Sequence, residues 1–183
     1  LASRDSLTGS CNRRARYEFA SDIFAFSLAG RQQLCCVMVD IDHFKQFNDL
    51  YGHAVGDQVI QVVANTLTAA LRETDVLGRY GGEEFCIVMP ATNAQQALNL
   101  AERMRRDIEA DARDAVEGVD VMPITASFGV ASLSAAAQSI EGLIDQADQA
   151  LYTAKQAGRN RTKLWAPPAT SSSITRPAEF SEL

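Results

Sequence analysis

The feature that most constrains the fold is an apolar run at Leu34–Ile41, interrupted only by Asp40 near its end. Its apolar side chains follow one another without the alternation of a half-buried strand. The run therefore predicts a β-strand that is buried on both faces. Such a strand lies inside a sheet, with other elements packed above and below it. The periodicity of the remaining sequence predicts where those elements are.

Four further segments have the spacing of amphipathic helices, and four have the composition of strands. The predicted helices cover 12–28, 56–72, 94–111 and 139–157, and the predicted strands cover 76–80, 85–89, 121–131 and 162–165. In the first helix, Phe19, Ile23 and Phe26 are expected to lie on one side. The order from 34 to 131 is strand–helix–strand–strand–helix–strand, which predicts an α+β fold with a ferredoxin-like βαββαβ core. One extra helix precedes that core, and a helix and a strand follow it.

Composition limits the number of domains and the kinds of partner. The chain has 183 residues, 46% of them hydrophobic, which fits one domain with a single core. We expect this domain to cover 1–166, and a tail at 167–183 has the composition of a disordered segment. A net charge of −6 argues against nucleic acid or an anionic membrane as the main partner. No apolar run approaches the ~18 residues that cross a bilayer.

The cysteines indicate the redox environment, and the first residue indicates that the chain is part of a longer protein. Cysteines at 11, 35, 36 and 86 have no Cys-x-x-Cys spacing, and with only two histidines a zinc site is disfavoured. We expect the cysteines to be reduced and the protein to be cytoplasmic. Because the chain begins with Leu1, it is expected to be the C-terminal fragment of a longer protein.

The segment Arg-Tyr-Gly-Gly-Glu-Glu-Phe at 79–85 is the strongest chemical signal. Gly81 and Gly82 predict a tight hairpin turn that uses positive φ angles. Glu83 and Glu84 follow at once, and adjacent like charges repel, so the turn suits a divalent cation and a nearby phosphate. A helical crossover makes the first two core strands parallel, which brings Asp40 to the same sheet edge. The alternative is a charged hairpin tip without further function.

Other polar groups have a structural and a functional interpretation each. Asp40 and Asp57 could cap helices. An aspartate and an asparagine in one site, such as Asp57 and Asn48, can instead bind the N1–H and N2–H edge of guanine. Asp42 has no assigned role. Lys155 and Arg159 could offset the dipole of the last long helix, and Arg72 with Asp75 could be a surface ion pair on a helix end.

The sequence resembles the GGDEF family, the diguanylate cyclases, over about residues 3–165. The signature at 79–85 carries this resemblance, together with the segments Asp-Ser-Leu-Thr-Gly at 5–9, Asn-Arg-Arg at 12–14, Asp-Ile-Asp-His-Phe-Lys at 40–45, Asn-Asp-Leu-Tyr-Gly-His-Ala-Val-Gly-Asp at 48–57 and Thr-Ala-Ser-Phe-Gly-Val at 125–130. One departure is Ser10, where the family usually has an apolar residue. The resemblance implies a core like that of nucleotide cyclases and polymerase palms.

The resemblance also implies an activity, in which an antiparallel homodimer condenses two GTP into cyclic di-GMP and two pyrophosphates with Mg²⁺ or Mn²⁺. The implied metal ligands are Asp40, the Ile41 carbonyl, Glu83 and Glu84, and the two glutamates are the implied catalytic residues. Glu83 binds a second metal or helps to deprotonate the attacking 3′-hydroxyl; the sequence does not separate these roles. The implied substrate-binding residues are Phe44, Lys45, Asn48, His53, Asp57, Lys155 and Arg159, although a structural hydrogen bond is the simpler interpretation of His53.

A second implied site is inhibitory and binds the product through Arg72, Asp75 and Arg103. The resemblance further implies a bacterial signalling protein with an upstream sensor or receiver domain that is missing from this fragment. Two alternatives remain open. The domain could be a catalytically silent receptor for GTP or cyclic di-GMP, or a one-substrate nucleotide cyclase or polymerase-like domain, which would not combine the guanine pair with Arg-x-x-Asp.

Overall fold

The structure is a computed structural model that describes residues 3–134, 137 and 139–168. The predicted disordered tail lies outside the described residues except for Pro167 and Pro168. The elements in chain order are α1 (Arg13–Ala29), β1 (Leu34–Ile41), α2 (Phe44–Tyr51), α3 (His53–Ala70), β2 (Val76–Arg79), β3 (Glu84–Pro90), α4 (Ala94–Asp111), β4 (Ala126–Ser132), α5 (Ile140–Gln156) and β5 (Thr162–Leu164).

The strands form one sheet in the order β2-β3-β1-β4-β5. The pairs β2–β3, β3–β1 and β1–β4 are antiparallel, and β5 is parallel to β4. This is the predicted ferredoxin-like α+β core, with α1 added before it and α5 and β5 added after it. Because β1 and β2 are both antiparallel to β3, they run in the same direction. Their carboxyl ends therefore meet at one edge of the sheet, as predicted.

The central strand β1 is buried along its whole length and divides the core into two layers. Cys35, Val37 and Val39 face a cluster built with α3 and α4, while Cys36 and Met38 face a cluster built with α1 and α5. Each fully buried aliphatic side chain contributes roughly 1.5–3 kcal/mol to stability. In the described residues no helix is both long and apolar enough to cross a membrane.

Helix α5 lies unusually close to the sheet, and Gly129 of β4 makes this possible. A Cβ at Gly129 would lie 2.1 Å from the Ala147 carbonyl oxygen. That is far inside contact distance and the obstacle is backbone, so any larger residue would push α5 off the sheet. The close packing sets the position of the last turn of α5, which carries Lys155.

The three apolar residues predicted on one side of α1 are not buried alike, because only Ile23 packs against the core. Phe19 and Phe26 are 49% and 68% exposed, whereas the buried residues of α1 are Ala15, Arg16, Ala20, Phe24 and Ser27. Each exposed phenylalanine precedes a buried residue by one position, which is about 100° around a helix. Small side chains on the buried face let α1 lie against the sheet, and this packing outweighs the size of the aromatic residues.

Two boundaries also differ from the prediction. The helix expected at 56–72 begins at His53, and a separate helix α2 precedes it, with a break at Gly52, whose φ is 84°. Periodicity missed α2 because Phe47 is its only buried residue. The strand expected at 121–131 begins at Ala126.

Candidate active site

Two carboxylates face each other across β1 and β3 at the predicted edge of the sheet. Asp40 is opposite Glu84 in the strand register, and Asp40 is only 8% exposed. The Lys155 ammonium, from the last turn of α5, lies 3.0 Å from Asp40 Oδ2. Asp40 lies within β1, and the residue that precedes α2 is His43, so Asp40 does not cap that helix. The structure thus brings together the residues that the sequence placed at this edge.

Burial makes the ionised form of these two carboxylates less favourable. Burial raises the pKa of Asp40 to about 6; the Lys155 ammonium opposes this shift, and the negative charges of Glu83 and Glu84 add to it. Burial also raises the pKa of Glu84, again opposed by Lys155 and assisted by the neighbouring acids Asp148 and Glu83. One ammonium does not compensate for this concentration of negative charge, so a further cation would stabilise the ionised edge.

The hairpin glycines serve a purpose different from the predicted one. Neither Gly81 nor Gly82 has a positive φ, so that prediction was wrong. A Cβ at Gly81 would instead lie 2.6 Å from Glu84 Oε2. Gly81 therefore leaves room for the Glu84 carboxylate beside the turn, close to backbone that carries no side chain.

Several contacts fix the hairpin relative to β1. The Ile41 N–H donates to the Glu83 carbonyl at 3.2 Å, and the Tyr80 N–H donates to the Glu84 carbonyl at 2.7 Å. Arg79 donates through Nε and Nη2 to the Gly82 carbonyl at 3.0 and 2.7 Å. Its Nη1 also lies 3.4 Å from Asp5 Oδ1, so the amino-terminal segment supports the hairpin.

The proposed guanine-binding residues lie on α2 and α3. Asn48 Oδ1 is buried and has no hydrogen-bond partner among the residues that the structure describes. A Cβ at Gly56 would lie 1.8 Å from this oxygen, so a larger residue there would displace the Asn48 amide. Asp57 is exposed on α3, one turn after His53, where it does not cap the helix. The Asn48 amide oxygen and the Asp57 carboxylate are both acceptors, and the N1–H and N2–H groups of guanine are donors that could bind them.

The remaining substrate-binding candidates lie on both sides of the carboxylates. Phe44 packs against the core and Lys45 is exposed, both in the first turn of α2. Arg159 follows α5 in the left-handed region, with φ of 64°, and makes no ion pair with any residue that the structure describes. Lys155 does lie in the last turn of α5, but its partner is the Asp40 carboxylate.

Sequence reasoning missed Asp42, which organises the same edge. Asp42 is 5% exposed and accepts hydrogen bonds from Thr125 Oγ1 at 2.7 Å and Ser127 Oγ at 2.6 Å. Its third donor is the backbone N–H of Asn160 at 2.9 Å. Two hydroxyl residues at alternate positions near the start of an otherwise apolar strand were the signal that could have identified a buried polar partner.

The Arg-x-x-Asp pair lies in the turn between α3 and β2, not on a helix end. Arg72 Nη2 lies 2.9 Å from Asp75 Oδ1 and also donates to Thr92 Oγ1 at 2.6 Å. The Asp75 carboxylate is fully buried, while the Arg72 side chain is 54% exposed. Arg103 of α4 donates to the Ala70 carbonyl at 3.3 Å and lines, with Arg72, a cleft of about 220 Å³. The structure therefore brings the two arginines of this predicted site together.

The edge suits a hard cation, although its side chains do not form a complete cage. Among the described residues no group of three His, Cys, Asp or Glu side chains could hold a metal by itself. Asp40, Glu84 and the Ile41 carbonyl supply oxygen donors only, the type that Mg²⁺ prefers. Mg²⁺ is usually bound by one or two carboxylates together with substrate phosphates, so this donor set fits.

Comparisons with known proteins give a consistent result. Residues 2–161 match the family described as "Diguanylate cyclase, GGDEF domain". Over 158 residues the chain is 46% identical to diguanylate cyclase VdcA of Vibrio cholerae, covering 86% of this chain and 45% of VdcA. The chain therefore spans less than half the length of that relative.

Two solved structures are similar along almost their whole length. The GGDEF domain of DgcB from Caulobacter crescentus, in complex with c-di-GMP, has a TM-score of 0.83 and 32% identity, covering 91% of this chain and 95% of that one. The active GGEEF domain of a diguanylate cyclase from Vibrio cholerae has a TM-score of 0.80 and 36% identity, covering 86% of this chain and 98% of that one.

Proposed function

The chain belongs to the GGDEF family of diguanylate cyclases, and from this premise we propose that it condenses two GTP into cyclic di-GMP and two pyrophosphates. The observation that carries the proposal is the pair of partly compensated carboxylates, Asp40 and Glu84, opposite each other at one sheet edge. In a purely structural site, such charges would be neutralised by protein groups. Here one ammonium serves both.

Asp40, the Ile41 carbonyl and Glu84 hold Mg²⁺ or Mn²⁺ in this proposal. A divalent cation held there would supply charge stabilisation for the reacting phosphate. Glu83 is the candidate for a second ligand position or for the base that takes the proton of the 3′-hydroxyl. The Ile41 N–H to Glu83 carbonyl hydrogen bond keeps Glu83 beside Asp40 for either role.

Asn48 and Asp57 select guanine. The unpaired Asn48 Oδ1 accepts from the base, and Asp57 accepts from N1–H and N2–H. Adenine has an unprotonated N1 in place of that donor, so ATP is a poor substrate. His53, the first residue of α3 and one turn before Asp57, is a further candidate for contact with the nucleotide.

Lys155 and Arg159 contact the triphosphate, together with the first turn of α2 at Phe44 and Lys45. Lys155 already lies 3.0 Å from Asp40, so a phosphate at this edge is within its reach. The Arg159 guanidinium, which has no ion pair in the part of the chain that the structure describes, offers two parallel donors, a geometry that matches phosphate oxygens.

Catalysis requires two protomers, because each holds one GTP and the attacking 3′-hydroxyl belongs to the GTP of the other. We therefore propose an antiparallel homodimer in which alignment of the two nucleotides supplies most of the rate. An upstream sensor or receiver domain would control this pairing, and the whole protein would act in the cytoplasm.

Arg72 and Arg103 form a separate inhibitory site for cyclic di-GMP. Both arginines line one cleft and are exposed, which suits recognition of phosphates and guanine edges. Because the Asp75 carboxylate is buried and its two oxygens accept from Arg72, we assign Asp75 the role of orienting Arg72.

Incubation of the protein with GTP and Mg²⁺, followed by chromatography, tests the proposed function. Cyclic di-GMP and pyrophosphate are the expected products. Binding of GTP or cyclic di-GMP without any turnover would instead identify a silent receptor, and formation of a one-substrate cyclic nucleotide would also contradict the proposal.

A further inference from the structure

The turn between α5 and β5 has an unusual backbone. Gly158, Arg159 and Asn160 follow one another with φ angles of 117°, 64° and 43°. Glycine accepts such angles readily and asparagine tolerates them, but arginine does not. A residue in this region costs of order 1–3 kcal/mol and persists only where its surroundings impose it.

The Arg159 N–H donates to the Ala154 carbonyl at 3.0 Å, and Asn160 supplies further contacts that hold this conformation. Its backbone N–H donates to Asp42 Oδ2 at 2.9 Å, and its Nδ2 donates to Glu109 Oε1 at 2.8 Å. Its Oδ1 accepts from Arg105 Nη1 at 2.7 Å. The end of β1 and helix α4 therefore hold one residue from two sides.

The holding network is itself rigid. The Arg105 side chain is 13% exposed and forms ion pairs with Glu102 and Glu109 of its own helix. Asp42 is buried and accepts two further hydrogen bonds from Thr125 and Ser127. Neither side of the clamp can shift without breaking several hydrogen bonds.

Arg159 lies between two points at which the chain is attached to the end of β1. Lys155 contacts Asp40, and Asn160 contacts Asp42. The strained arginine is thereby kept at the edge that carries the metal candidates, with a guanidinium that has no ion pair among the described residues.

We propose that Asn160 is a positioning residue, which holds Arg159 at the carboxylate edge so that its guanidinium binds the GTP phosphates. The inference deepens the proposed function and depends on it. Asn160 does not touch the nucleotide, and its effect on binding passes entirely through Arg159.

A double-mutant cycle on GTP affinity tests this dependence. Equilibrium binding of GTP with Mg²⁺ is measured by calorimetry for the unaltered protein, Asn160→Ala, Arg159→Ala and the double variant. Arg159→Ala should weaken binding about 10-fold or more, the value of one charge-assisted hydrogen bond. Asn160→Ala should weaken it about 5-fold or more in the unaltered background and less than about 2-fold when Arg159 is already Ala.

Equal weakening by Asn160→Ala in both backgrounds, or none in the unaltered protein, would overturn the inference. If Asn160→Ala does not fold, Glu109→Ala replaces it, because it removes one Asn160 contact from a half-exposed position and should show the same dependence on Arg159. If the unaltered protein forms cyclic di-GMP but the effects of the two substitutions on GTP affinity are additive, only the inference about Asn160 is refuted. A protein that does not bind GTP refutes the proposed function as well.

Discussion

Two acid–base pairs of similar length differ in what surrounds them. Lys155 and Asp40 are 3.0 Å apart, and Arg72 and Asp75 are 2.9 Å apart. Asp40 is crowded by Glu83 and Glu84, which help to raise its pKa, whereas Asp75 also accepts from the Arg72 backbone N–H. At the first pair, negative charge remains uncompensated. At the second pair, the buried Asp75 carboxylate accepts hydrogen bonds from Arg72 and holds that exposed side chain in place. The distance alone does not distinguish a reactive pair from a structural one.

The largest expected effect is on turnover. Asp40→Asn and Glu84→Gln should each lower the rate of cyclic di-GMP formation by about 100-fold or more, because the metal provides several kcal/mol of charge stabilisation. Circular dichroism should show an intact fold. Asp120→Asn, at an exposed loop position, is the matched control. Near-normal turnover in either variant would show that this edge of the sheet is not the catalytic site.

The next effect is on base selection. Asp57→Ala should weaken GTP binding by about 1–3 kcal/mol, since it removes a hydrogen-bonding partner of guanine. ATP binding, measured in parallel, should be weak in the unaltered protein and unchanged in the variant. Exposed Asp49 of α2 provides a control in Asp49→Ala. Comparable turnover of ATP and GTP by the unaltered protein would contradict the guanine site.

Substitution of the aspartate should change the free energy of unfolding in opposite directions at the two pairs. A carboxyl whose pKa rises from 3.8 to about 6 on folding binds more protons when folded, so its contribution to the free energy of unfolding falls between these pH values. Asp40→Asn should therefore stabilise the metal-free protein by about 1–3 kcal/mol at pH 7 and by nothing below about pH 4.

At the second pair, Asp75→Ala should destabilise the protein by about 1–2 kcal/mol, because Arg72 and its backbone lose their acceptor. Thermal unfolding at pH 7 without divalent cations measures both variants. Destabilisation by Asp40→Asn, or stabilisation by Asp75→Ala, would reverse the comparison.

Product inhibition gives the most selective effect. Arg72→Ala should relieve inhibition by added cyclic di-GMP and leave the initial rate largely unchanged, because Arg72 lies outside the carboxylate edge. Arg106→Ala, a surface arginine on the same helix as Arg103, should keep the inhibition. If the unaltered protein is insensitive to cyclic di-GMP, Arg72 and Asp75 are only a structural pair. Such coupling is allosteric only when two sites and two arrangements exist.

Much of this arrangement could be predicted because it depends on patterns that act locally. The uniform apolar run of β1 and the crossover rule placed Asp40 beside the hairpin, and the structure pairs it with Glu84. The buried face of α1 could not be predicted from the sequence. Which side of the helix is buried depends on the shape of the sheet surface against which its small residues pack. Asp42 was missed because its donors come from β4 and from a turn more than a hundred residues away.

The most direct test compares turnover with GTP and Mg²⁺ in the unaltered protein, Glu84→Gln and Asp75→Ala at matched concentration. We expect cyclic di-GMP from the unaltered protein, about 100-fold less or lower from Glu84→Gln, and a rate from Asp75→Ala close to that of the unaltered protein below its unfolding temperature. Product from Glu84→Gln at the unaltered rate would show that the Asp40–Glu84 edge is not the catalytic centre.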